Sequence, residues 1–246
     1  MIFSDRLKIA NIFVAAFFGF SFSNVQAQLT TQGELGKLLY FDENLSEPAG
    51  QSCASCHLPT AGWADPDTNL PVSEGVIPGR FGGRNSPVSA YAVFFPEFSF
   101  TNNIAIGGQF WDGRATNLTE QAKGPFLTPV EMNNPDRETV LADIQASSYS
   151  NLFEQICGPV VDVDTSYHCM AEAIAAFEGS EELNQFTSKF DAVQAGLASF
   201  TRSERRGQKL FNARHYAVNA TQVAGTMVAA HQVPVLFYLR ISVIIT

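Results

Sequence analysis

Cys53-Ala54-Ser55-Cys56-His57 is the segment of this 246-residue chain whose residue types and spacing point most directly to chemistry. Two cysteines three apart fall on one face of a helical turn, where both sulfurs can bond to the two vinyl groups of a single haem. The histidine that follows is placed to bring an imidazole nitrogen to the iron, so His57 is the expected proximal ligand. Two other uses of a C-x-x-C pair ask for more than the chain offers. A thioredoxin-type redox motif belongs in a βαβ pattern, and a structural zinc site needs further Cys or His at ligand spacing. Covalently bound haem c, one group for one motif, is the cofactor these residues imply. The other two cysteines, Cys157 and Cys169, have no histidine after them. In an oxidising compartment they are expected to close the loop from Gly158 to His168 as a disulfide rather than to remain free thiols.

The elements that must position this motif read as helices. Apolar residues recur at helical spacing in Leu35, Leu38 and Leu39, in Leu141, Ile144 and Leu152 to Ile156, and in Met170, Ile174 and Phe177. Helix starts are marked by Thr116-Asn117 before Leu118, by Asn134-Pro135-Asp136, and by Thr201 with Glu204 three residues on. Between Pro59 and Phe110 glycine and proline recur so often that the stretch reads as mostly loop. A long loop inside a compact domain is usually functional. The fold class expected is mainly α: a c-type cytochrome-like helical haem domain with long irregular loops.

Composition narrows the partners. With 15 Lys and Arg against 24 Asp and Glu, the formal charge is -9, which disfavours nucleic acid because a phosphate backbone needs a basic face. Residues 1–27 read as a signal peptide: Arg6 and Lys8 precede an apolar run from Ile12 to Phe22, and Val25-Gln26-Ala27 offers small residues for cleavage. The run is too short and too interrupted for a stable membrane span, so export to the periplasm is the expectation. At the other end, Val233 to Thr246 is apolar with a single charge at Arg240, and reads as a buried strand or an aggregation-prone end. No acidic residue follows Glu204.

Around the haem motif lie Leu35-Gly36-Lys37-Leu38-Leu39-Tyr40-Phe41-Asp42, Arg84-Asn85-Ser86-Pro87, Phe110-Trp111-Asp112-Gly113-Arg114 and Pro129-Val130-Glu131-Met132. In this order and spacing they resemble the bacterial di-haem cytochrome c peroxidase and MauG family, from about residue 32 to about residue 211. The resemblance implies an oxidoreductase that uses hydrogen peroxide, with the N-terminal haem as the peroxide-reacting one. On residue type alone Glu131 reads as a helix-start acid and Gln121 as a solvated helix residue. The resemblance instead places both in the distal pocket, as the family's Glu and Gln ten residues apart. A carboxylate there can move a proton between the two oxygens of peroxide, and an amide can hold the oxygen in place. It also implies that Trp111 passes oxidising equivalents onward and that Asn85 is a calcium ligand. The partner implied is a redox protein: a small cytochrome, a cupredoxin or a protein substrate.

Two departures from the family pattern stand out. No His occurs between His57 and His168, which implies an open distal face as in the MauG branch, whose members oxidise side chains of a partner protein. No Cys follows Cys169, so no second C-x-x-C-H appears. The expected organisation is a signal peptide at 1–27, a peroxidatic cytochrome c domain at 28–211, and an unassigned tail at 212–246, as a truncated or frame-shifted copy would give. Two other functions stay open on these residues. A mono-haem electron-transfer cytochrome needs a sixth ligand, for which His168 and Met132 are the candidates; an inactive fragment needs none.

Overall fold

The computed structural model describes residues 29–67, 69–101 and 104–213. The segment read as a signal peptide and the apolar tail fall outside the described residues, and no helix among those described is long and apolar enough to cross a membrane. The expected mainly helical fold is what forms. In chain order the helices are α1 (Thr31–Phe41), α2 (Cys53–Cys56), α3 (Leu118–Ala122), α4 (Arg137–Ala146), α5 (Ser150–Cys157), α6 (Val163–Glu178), α7 (Lys189–Gln194) and α8 (Arg202–Ala213).

The scaffold is the crossing of α1 and α6. Leu35, Leu39 and Tyr40 of α1, with Met170, Ile174 and Phe177 of α6, are at most 2% exposed. Spacings of four and three put Met170, Ile174 and Phe177 on one face of α6, and a spacing of four puts Leu35 and Leu39 on one face of α1, with Tyr40 beside Leu39. The helices approach so closely at Gly36 that a Cβ there would lie 1.8 Å from the carbonyl oxygen of Ala173. Only glycine permits that contact. Polar side chains set two helix starts as the sequence suggested, Asn117 accepting from the Glu120 N–H at 3.0 Å and Asp136 from the Thr139 N–H at 2.8 Å, and Asp162 does the same for α6 with the Thr165 N–H at 2.8 Å. Thr201 and Glu204 form the expected reciprocal cap.

The apolar run from Leu141 to Ile156 divides into α4 and α5, because the Ser147 hydroxyl turns back to the Ile144 carbonyl at 2.7 Å and ends the first helix. Cys157 and Cys169 form the expected disulfide, joining the end of α5 to α6 with their Cα atoms 5.7 Å apart.

From Leu58 to Ala115 the described residues are mostly irregular, as the glycines and prolines suggested, broken by two single 3-10 turns at Pro59–Ala61 and Ala92–Phe94 and by one hairpin. Residues Ser99–Thr101 (β1) and Ile104–Ile106 (β2) pair antiparallel, with Ser99 opposite Ile106. This long wall covers one side of the helical scaffold and, with α2 and the turn before α4, encloses a cavity of about 510 Å³.

Candidate active site

The haem motif forms the short helix α2 and the residue that ends it. Ser52 and Ser55 tighten the turn, the Ser55 hydroxyl accepting from the Ser52 N–H at 3.0 Å, and His57 follows in a non-helical conformation. Cys53, Cys56 and His57 all line the cavity. Burial pushes both thiols up, Cys56 to about 11. Redox-active C-x-x-C pairs show the opposite shift, toward a reactive thiolate. Nor does any group of three or more His, Cys, Asp or Glu among the described residues form a metal cluster of the zinc type. Burial also pushes His57 down to about 4, against the pull of hydrogen bonds to the backbone of Trp63 and Pro87. The imidazole is therefore neutral at physiological pH, the form a metal requires. The Ser86 hydroxyl lies 3.3 Å from its Nε2. Two half-buried sulfurs and a neutral imidazole on the wall of one roomy cavity are a donor set that fits haem c.

Gln121 and Glu131 line the same cavity. Gln121 comes from α3. Glu131 does not begin a helix; it stands in the turn between residues 128 and 134, where its own N–H reaches the Thr128 carbonyl at 2.9 Å. The loop wall holds that turn from outside, since the Val76 N–H donates to the Glu131 carbonyl at 2.9 Å. Gly75 makes this approach possible, because a Cβ at that position would fall 2.4 Å from the Val130 carbonyl. Burial raises the pKa of Glu131, and the positive charge of Arg114 acts against the rise.

Trp111 stands at the cavity mouth, 64% exposed, with its indole N–H donating to the Asn85 carbonyl at 2.7 Å. Arg84 and Arg114 both bind Asp112 at 2.8 Å and hold its carboxyl down to about 2. The Arg114 guanidinium lies 3.6 Å from the centre of the Phe110 ring. The Asn85 side chain donates to the Pro71 carbonyl at 3.1 Å. Calcium takes six to eight oxygens. Asn85 supplies one amide oxygen, and its near neighbour Asp112 is already neutralised by two arginines, so the described residues do not by themselves enclose that ion.

Of the two candidate sixth ligands, only Met132 borders the cavity, at 3% exposure. His168 lies on an outer face of α6, its side chain 46% exposed, with Nε2 3.5 Å from Glu172 and Nδ1 3.9 Å from Glu120. Residue type made His168 a candidate; the helix turns it away from the cavity.

Several residues of the site escaped the sequence reading. Gln51 is buried beside Cys56 and donates to the Glu74 carbonyl at 2.9 Å, tying the loop wall to the haem motif. Gln109 is buried and donates to the Ala92 carbonyl at 3.1 Å. Glu178 is 5% exposed at the end of α6 and lines the cavity. Its position four residues after Ile174, on the apolar face, was the available signal.

A helical fold closed around a half-buried C-x-x-C-H turn defines the class of c-type haem domains. The chain belongs to the di-haem cytochrome c peroxidase family, whose pattern it matches over residues 30–199. It is 41% identical over 184 residues to the methylamine utilization protein MauG of Paracoccus denitrificans, covering 72% of this chain and 48% of that protein. It is 38% identical over 183 residues to the cytochrome c551 peroxidase of Pseudomonas aeruginosa, covering 73% and 47%. Among solved structures, the di-haem peroxidase BthA from Burkholderia thailandensis superposes with a TM-score of 0.70 at 35% identity, over 76% of this chain and 47% of that one. The chain spans about half the length of these relatives.

Proposed function

We propose that this chain carries the peroxide-reacting site of a periplasmic c-type haem peroxidase, which oxidises a cytochrome or a protein side chain. The observation that carries the reading is the convergence of Cys53, Cys56 and His57 with Gln121 and Glu131 on one cavity. Haem c, which Cys53, Cys56 and His57 would hold, would supply redox-active iron for hydrogen peroxide. The side chains of the protein do the rest. Glu131, kept in a partly dehydrated turn, takes a proton from one peroxide oxygen and returns it to the other, so that the second leaves as water; the oxygen left behind becomes a second water only when the partner that is oxidised supplies two electrons and solvent supplies two protons. Gln121 donates an amide N–H that holds the oxygen during that transfer. The loop wall limits the entry of bulk water, which sharpens both interactions. Trp111, exposed at the mouth and held through Asn85, is the aromatic group by which a partner protein delivers electrons.

The test uses the purified holoprotein. A pyridine haemochrome assay is expected to give one haem per chain, and rapid mixing with hydrogen peroxide to change the Soret spectrum. Glu131→Gln should slow that change by roughly 10²–10⁴-fold while leaving the haem content intact. A haem-free protein, or a holoprotein whose spectrum peroxide leaves unchanged, would refute the reading.

A further inference from the structure

The haem-attachment turn at residues 53–57 and the turn at residues 128–134 that carries Glu131 are far apart in the chain, and the loop at residues 73–82 is bonded to the surroundings of both. Gln51, 6% exposed and two residues before Cys53, donates from Nε2 to the Glu74 carbonyl at 2.9 Å, and the same nitrogen stands 3.8 Å from Cys56 Sγ. Two residues beyond Glu74, the Val76 N–H donates to the carbonyl of Glu131 itself at 2.9 Å. Gly75, between them, lies directly on the Glu131 turn: a Cβ there would fall 2.4 Å from the Val130 carbonyl oxygen. From the far end of the loop, Arg80 Nη1 donates to the Pro129 carbonyl and to Asn133 Oδ1, each at 3.3 Å.

The loop is closed on itself. The Gly75 N–H donates to the Arg80 carbonyl at 2.8 Å, the Gly82 N–H to the Ser73 carbonyl at 2.9 Å, and the Gly79 N–H to the Glu74 carboxylate at 2.6 Å. A shift at Glu74 is therefore carried to Val76 and Arg80 together. The residues that follow Glu131 are held separately: the Glu47 N–H donates to the Met132 carbonyl at 2.9 Å, and the Glu47 carbonyl accepts from Asn133 Nδ2 at 2.7 Å. Residues 129–131 depend on the loop. Gln51 Oε1 is buried without a partner, a cost that an apolar side chain of this size would not carry. Among the described residues the Glu74 carbonyl has no other donor. The Gln51 amide thus serves the loop rather than the core.

We propose that Gln51 and Arg80 are positioning residues for Glu131: through the loop at residues 73–82 they set where the acid stands relative to the haem-attachment turn, Gln51 from beside Cys56 and Arg80 across the Glu131 turn. A group that moves a proton needs this kind of support, because a misplacement of about 1 Å can cost on the order of 10²-fold in rate. The proposal rests on the reading that Glu131 serves a haem held by Cys53, Cys56 and His57.

The experiment uses the reduced holoprotein with carbon monoxide bound, whose C–O stretching band in the infrared responds to the groups around the ligand. Glu131→Ala gives the band of a pocket without the acid. Gln51→Leu, Arg80→Met and Gly75→Ala should each move the wild-type band toward that position and slow the peroxide reaction by roughly 10–10²-fold. In a Glu131→Ala background the same three substitutions should leave the band in place and change the peroxide rate by less than about twofold, since a residue that acts through another has no effect once the other is gone. Arg80 is exposed and Gly75→Ala leaves Gln51 intact, so the test does not depend on the folding of Gln51→Leu. A band unmoved in Arg80→Met and Gly75→Ala, or moved equally with and without Glu131, would overturn the proposal and leave the reading of Glu131 standing. A Glu131→Ala band identical to that of wild type would instead defeat that reading, and the proposal with it.

Discussion

The α1–α6 scaffold and the loop wall from Leu58 to Ala115 border the same cavity and are held together by different forces. In the scaffold, large apolar side chains are closed off completely, and Phe177 packs edge-on against Tyr40 with centroids 5.3 Å apart, with Trp63 reaching in from the wall at 6.0 Å. The wall contains little of this. Its shape comes from single polar anchors, such as Gln109 to Ala92 and the Trp111 indole to Asn85, and from backbone in the left-handed region at Trp63, Tyr91 and Phe110. Apolar packing spreads its energy over many contacts, whereas an anchor concentrates it in one bond. A change in the scaffold should therefore be read in stability, and a change in the wall in the site.

The contrast can be broken at graded points. Phe177→Ala should cost about 3–5 kcal/mol, read as a lower chemical-denaturation midpoint with no change in its slope. A cost under about 1 kcal/mol would mean that the aromatic cluster is not what closes the scaffold. Removing the disulfide with Cys157→Ser/Cys169→Ser should cost about 2–3 kcal/mol for a loop this short, again with an unaltered Soret spectrum. Gln109→Leu should cost only about 0.5–1.5 kcal/mol, since the Ala92 carbonyl loses one of its two donors and keeps the Phe95 N–H at 3.1 Å, yet should slow the peroxide reaction. If it destabilised the protein and spared the reaction, the division between the two regions would be wrong.

The smallest effect is electrostatic. Burial raises the pKa of Glu131, so the carboxylate that accepts the peroxide proton is lost, as pH falls, at a higher pH than for an exposed glutamate. Arg114 opposes the rise. Arg114→Ala should therefore move the acid limb of the peroxide rate profile upward in pH, with the neutral-pH rate little changed. A limb that moves downward, or stays in place, would detach Arg114 from Glu131.

How much was legible in the sequence follows the same division. The scaffold announced itself through periodicity and caps: Leu35 and Leu39, Ile174 and Phe177, Asn117, Asp136 and the Thr201–Glu204 pair all sit where local chemistry put them. The haem motif was legible because its three donors are adjacent in the chain. What was not legible depends on approach between distant segments. The bend at Ser147 needed one hydroxyl to turn back on its own helix. The pairing of Ser99 with Ile106 was hidden among glycines and prolines that read as loop. His168 and Glu178 lie on one helix, ten residues apart; the spacing from Ile174 hints that the second faces inward, and the packing of α6 against α1 fixes it there with the first facing outward. Gln51, Val76 and Glu131 are linked because three segments meet there, and no local pattern brings them together.

The crossing at Gly36 also carries a consequence for the order of folding. It joins residues 36 and 173, so the haem-attachment turn and nearly all of the cavity wall lie within the segment of chain that this contact closes. Closing so long a segment is slow, because its entropic cost falls due before the contact returns anything. The cavity is thus finished only after α6 has emerged and docked, and until then the two cysteines remain open to whatever must reach them. A substitution such as Gly36→Ala, far from every reacting group, would act as a fault in timing: the parts of the site would all be present in a chain that closes late or not at all.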